Sequence, residues 1–75
     1  MKYTSQEIMM AHRNMCRKRG YTVKIVGDYA YRKQRYYKGK LHYCCLIGSE
    51  NNGNIMVIYD SKIGHREKLP VGKYL

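Results

Sequence analysis

The chain has 75 residues, with 15 lysines and arginines against 5 acids and a formal charge of +10. A chain this short makes one domain at most, with a small core and a thin stability margin, and it encloses little volume for an enzyme of small-molecule metabolism. Its longest apolar stretches, residues 41–47 and 55–59, fall far below the roughly 20 residues of a membrane span, and no apolar region with a cleavage site signals export.

The first element is a helix. Thr4-Ser5-Gln6-Glu7 has the form of a capping box, nothing breaks a helix before Arg19, and Gly20 stands where a C′ glycine belongs. At 100° per residue, Ile8, Met9, Ala11, His12, Met15 and Cys16 share one face, opposite Arg13, Asn14, Arg17 and Lys18. The cations Arg17, Lys18 and Arg19 suit the negative end of the helix dipole.

After Gly20 the period changes to two. Tyr21, Val23 and Ile25 alternate with Thr22 and Lys24, which predicts a half-buried strand to Val26 before a turn at Gly27-Asp28. Residues 41–47 and 55–59 predict two further strands, joined through Asn52-Gly53, a pair suited to a tight hairpin with positive φ. Lys38-Gly39 marks another hairpin turn. Residues 61–64 turn away from the last strand, and Pro70 and Gly72 make the final six residues a poor candidate for any long element. The pattern predicts one small basic α+β domain over residues 1–75, an N-terminal helix packed on a three- or four-stranded antiparallel meander.

Charge is unevenly spread. Residues 1–40 hold eleven lysines and arginines against two acids, and residues 41–75 hold four against three. The densest stretch, YAYRKQRYYKGK over residues 29–40, has four tyrosines, five basic residues and no acid. As a strand it would carry charge in the middle of both faces, so it is expected at an edge, in a protruding hairpin or in a loop. Basic residues on an exposed hairpin can track phosphates, and tyrosines beside them can stack on unpaired bases. Basic residues also keep an exposed strand edge from pairing with other chains, which needs no ligand. The second basic surface, on the helix, favours binding. The expected function is therefore nucleic-acid binding, to DNA or RNA, through Arg13, Arg17, Lys18, Arg32, Lys33, Arg35, Tyr36, Tyr37, Lys38 and Lys40. Size, basicity and the lack of a familiar motif suggest an origin in a phage or other mobile element.

Three cysteines, Cys16, Cys44 and Cys45, are an odd number, and two are adjacent. Without an export signal they fit reduced thiols in a cytoplasm better than a disulfide framework. His12 and Cys16 lie four apart on the inward helix face, and His42 and Cys44 lie two apart on one strand face. Were those faces to meet, the four would approach a Cys₂His₂ zinc set. Buried free cysteine is common without a metal, and the expectation is of no cofactor and no metal ligands.

Two other functions are open to the sequence. One is a protein-interaction module or inhibitor acting on an acidic protein or a nucleoprotein complex. The other is a ribonuclease. Ile63-Gly64-His65-Arg66-Glu67-Lys68 after an apolar strand, with Gly27-Asp28-Tyr29 before, resembles elements of RelE/ParE-type toxins. That resemblance covers about ten residues, and the two helices following a first strand that mark the family are missing here. It would imply acid–base and phosphate-stabilising roles among His65, Arg66, Tyr59 and Lys62, with His42 as a second candidate acid or base. The ordinary alternative is that residues 65–68 form an exposed mixed-charge tail and the chain has no catalytic residues.

Overall fold

Residues 2–25, 31–37 and 39–75 are described in the computed structural model, with the backbone alone for residue 25 and residues 31–37. Helix α1 spans Ser5–Lys18, and its capping box is complete. Thr4 Oγ1 accepts from the Glu7 N–H at 3.1 Å, and Glu7 Oε1 accepts from the Thr4 N–H at 3.0 Å. At the other end, the Tyr21 N–H donates to the Cys16 carbonyl at 3.0 Å and the Gly20 N–H to Arg17 at 3.0 Å, with Gly20 at φ +87°. This is the Schellman pattern. It turns the chain sharply enough to bury Tyr21 directly after the helix.

Five strands follow: β1 (Thr22–Ile25), β2 (Tyr31–Tyr37), β3 (Lys40–Glu50), β4 (Ile55–Asp60) and β5 (His65–Pro70), then a 3-10 helix over Val71–Tyr74. They form one antiparallel sheet in the order β1-β2-β3-β4-β5, so every strand pairs with its neighbour in sequence. The β2–β3 hairpin closes on Tyr37 and Lys40, with Gly39 at φ +78°. The β3–β4 hairpin closes on Glu50 and Ile55, and its loop holds Asn51, Asn52 and Gly53 all at positive φ.

The helix-on-meander α+β architecture expected from the sequence is present, and the sheet extends one strand further. His65–Pro70 is a full strand paired along β4, not a tail, because residues 61–64 reverse the chain instead of leading it away. The N–H groups of Ile63 and Gly64 both donate to the Asp60 carbonyl, at 3.1 and 2.8 Å. Val71, in the segment expected to be irregular, is wholly buried in the core.

A second correction concerns the basic stretch. β2 is neither an edge nor a free hairpin or loop: it is flanked by β1 and β3. Charge in both of its faces does not forbid this, since side-chain charge bears on which faces meet water and not on whether the backbone has a partner on one side or two. The helix packs on β1, β3 and the 3-10 helix.

The core consists of Ile8, Ala11, Met15, Cys16, Tyr21, Cys44, Met56, Ile58 and Val71, with Val23, Leu46 and Leu69 packed against it. Strand alternation then fixes the reverse face. Lys24 and Tyr43 are exposed and Val57 and Tyr59 half-buried, each one position out of phase with a core-facing residue. An irregularity between Leu46 and Gly48 shifts this phase along β3, so that beyond it Ser49, opposite Met56, takes the helix side.

Candidate functional site

Two polar clusters lie beneath α1. In the first, His12, Cys16 and Cys44 are all wholly buried. The helix supplies His12 and Cys16 at i and i+4, neighbouring positions on one helix face, and β3 supplies Cys44 from the strand face turned to the helix. Both sulfur atoms lie 3.5 Å from the same His12 Nε2, and one ligand atom from each of the three residues lies within 4.8 Å of the others. Hydrogen bonding with Cys16 is the main influence drawing the Cys44 thiol down to about 6; burial opposes the shift and His12 adds to it. Such a set can share a proton between sulfur and nitrogen or hold a thiophilic cation. His42, the fourth candidate ligand, is half-buried and is not among the grouped atoms. Two residues along a strand amount to about 6.8 Å, which separates it from Cys44. Cys45, expected on the opposite face, is half-buried.

The second cluster closes around Asp60, which is 2 % exposed. Arg19 Nη1 donates to Asp60 Oδ2 at 2.9 Å, and Arg19 Nη2 to Glu67 Oε2 at 2.9 Å. The Tyr21 hydroxyl and the Lys62 N–H both donate to Asp60 Oδ1. Burial raises the Asp60 carboxyl, but these hydrogen bonds outweigh it and leave the group below its usual range. Arg19 holds Glu67 down in the same way, while burial and then Asp60 push the Tyr21 phenol up. The cluster borders a cleft of about 390 Å³ lined by Arg19, Tyr21, Asp60, Lys62 and Ile63.

On the sheet face away from the helix, the rings of Tyr43 and Tyr59 stand 6.1 Å apart at 38°. Cross-strand partners share a face, so Arg66, paired with Tyr59, and Lys68, paired with Val57, belong to this surface. Both are exposed, and Lys68 reaches Glu50 at 3.0 Å. Leu41 is also exposed here. The register sets Arg32 opposite Lys24 and Tyr36 opposite Leu41.

Of the residues expected to bind nucleic acid, the four whose side chains are described lie on two elements, Arg13, Arg17 and Lys18 on α1 and Lys40 on β3. Arg17 and Lys18 are exposed on α1, with the Lys18 ammonium 5.5 Å from the Tyr74 ring centre. Arg13 is only half-buried, and neighbouring Asn14 donates to the Tyr74 carbonyl at 2.7 Å, so the 3-10 helix covers part of the supposed outer face. Lys40 is exposed at the start of β3. Arg32, Lys33, Arg35, Tyr36 and Tyr37 belong to β2, but their side chains, and Lys38 entirely, lie outside the described residues. The helix cations and Lys24 fall on opposite sides of the sheet. Sequence reasoning missed Tyr43 and Tyr59 as a surface pair; the signal was their odd phase against Cys44 and Ile58. The toxin-like candidates Tyr59, Lys62, His65 and Arg66 gather at the β4–β5 hairpin, where His65 is exposed and its Nδ1 lies 3.0 Å from the Arg66 carbonyl oxygen.

Comparisons with protein-family models, with curated proteins and with solved structures find no match to this chain.

Proposed function

We propose that this protein binds nucleic acid, using the uncovered face of its sheet as the contact surface. The observation that carries this is the Tyr43–Tyr59 pair on the face opposite α1, with exposed cations on neighbouring β5 and, beyond β2, on β1. Aromatic rings on an open surface give unpaired bases something to stack on, and nearby cations follow the phosphates. The acids add a second support. Glu7 is engaged in the helix cap, Glu50 with Lys68, and Asp60 and Glu67 with Arg19. Among the described residues no carboxylate ion-pairs with Arg17, Lys18, Lys24, Lys40 or Lys73, so positive charge dominates the solvent side. Single-stranded substrate, DNA or RNA, suits such a platform better than duplex, whose bases are already stacked.

Fluorescence anisotropy with single- and double-stranded probes over a salt series tests the proposal. Tight binding to single strands at low salt, weakening steadily as salt rises, is expected; absence of binding at low salt refutes it. The exposure of Leu41 and Ile47 favours a second reading, an acidic protein or nucleoprotein partner. A pull-down that resists nuclease and moderate salt would select that reading.

A further inference from the structure

The buried His12–Cys16–Cys44 cluster does not belong to the sheet surface and calls for its own explanation. We infer that it is a binding site for one thiophilic d¹⁰ cation of the Zn(II) class, held by His12 Nε2 and the two sulfur atoms. A tetrahedral Zn(II) takes sulfur at about 2.3 Å and nitrogen at about 2.0–2.1 Å, which sets sulfur and nitrogen about 3.5 Å apart. Both Cys–His12 Nε2 separations have that value. The Cys16 sulfur is also 4.0 Å from Nδ1, so the imidazole has to turn to aim its Nε2 lone pair between the two sulfur atoms. A neutral imidazole nitrogen has one lone pair or one proton to offer, so it hydrogen-bonds two thiols at once poorly. A single cation between the three atoms satisfies all of them. Binding releases the thiol protons, and two thiolates with a neutral imidazole exactly balance a divalent charge. That balance matters at a wholly buried site, where net charge is costly.

The site also has a structural logic. Its ligands come from two elements far apart in sequence, α1 and β3, so the ion would pin the helix to the sheet. A core with so few large aliphatic side chains gains much from such a clasp, because ion-binding energy becomes folding energy. The three residues fill three of the four positions of a tetrahedral ion, and Asp60, although the cross-strand partner of Cys44, is not among the grouped ligand atoms.

The test is an anaerobic titration of the reduced full chain with Co(II). One equivalent is expected to produce a near-ultraviolet charge-transfer band with the intensity of two cobalt–thiolate bonds, together with strong visible bands of tetrahedral symmetry. Zn(II) should displace the cobalt and raise the melting temperature of the reduced protein. Cys45→Ser should leave the band intact, while Cys16→Ala and Cys44→Ala should each halve it, with folding followed by circular dichroism. Should those two variants fail to fold, X-ray absorption on the zinc-loaded wild type decides, with two sulfur scatterers and one imidazole expected. No thiolate band in the wild type, a band abolished by Cys45→Ser, a single sulfur scatterer, or no thermal shift with zinc would each overturn the site. None of these results bears on nucleic-acid binding.

Discussion

On the sheet face turned to α1, Cys44, Met56, Ile58 and Asp60 are buried against the helix. On the reverse face of the same strands, Tyr43 is exposed and Tyr59 half-buried, among cations. The two sets interleave residue by residue, yet one holds the molecule together and the other meets its surroundings. Strand alternation thus gives a very small chain one face for packing and, under the proposed function, the other for recognition, without a second domain. Changes at even-numbered positions of β4 should therefore lower stability, and changes at odd-numbered positions should lower binding.

The largest effect is expected from Asp60→Asn. It removes the buried charge that accepts from Arg19 and Tyr21, while Glu67 still pairs with Arg19, at a cost of about 2 kcal/mol, the scale of a hydrogen bond to a charged group. Urea unfolding should show this as a lower midpoint with an unchanged slope, and near-wild-type stability would mean that the cluster is dispensable.

Tyr59→Ala addresses the other face. It should weaken single-strand binding by about 1–2 kcal/mol, the scale of one stacked base. Thermal melting should move far less than in Asp60→Asn, and an equal loss of both properties would collapse the distinction between the faces.

Titration sharpens the same contrast. Asp60 and Glu67 are held below their ordinary range, so their contribution to stability is complete above about pH 4, where unfolded carboxyls are ionised. It is lost as the pH falls through their lower folded values. Tyr21 is shifted upward, so its contribution is complete below about pH 10 and fades above that. Denaturant midpoints measured across pH should fall below about pH 4 and above about pH 10, and Asp60→Asn should flatten the acid limb. Because the Cys44 thiol is drawn down to about 6 in the folded chain, they should also climb between about pH 6 and the unfolded thiol value of about 8.5.

The smallest effect is expected from the helix cations. The double substitution Arg17→Glu, Lys18→Glu alters a surface on the far side of the sheet from Tyr43 and Tyr59, and should change the salt slope of binding by less than about one phosphate contact. A loss matching that of Tyr59→Ala would move the contact surface to the helix.

Much of this architecture was legible in the sequence because local chemistry and tertiary structure agree. The capping box, Gly20, Gly39 and the Asn52-Gly53 turn all act where their residue types predict. β5 was illegible because His65-Arg66-Glu67-Lys68 has no apolar alternation; Glu67 is set on the helix side by its pairing with the core residue Ile58, and its charge is met there by Arg19 from 48 residues away. The basic stretch misled for a related reason. Charge on both faces signals exposure to water, but it does not say whether backbone partners lie on one side or two. The His12–Cys16 pair was readable from helical spacing, and Cys44 from strand phase, whereas the exclusion of His42 depended on where along β3 the helix crosses.

The order of the strands has a kinetic consequence. Because each strand pairs with the one before it, every ladder can be closed across a short stretch of chain, at little entropic expense. The hairpins at Gly39, Asn51–Gly53 and Gly64 can form independently, as local events within microseconds. The slow encounter is left to the helix, whose Arg19 must find Asp60 and Glu67 across more than forty residues. Refolding should therefore be fast for a sheet protein, with hairpin formation preceding the docking of α1.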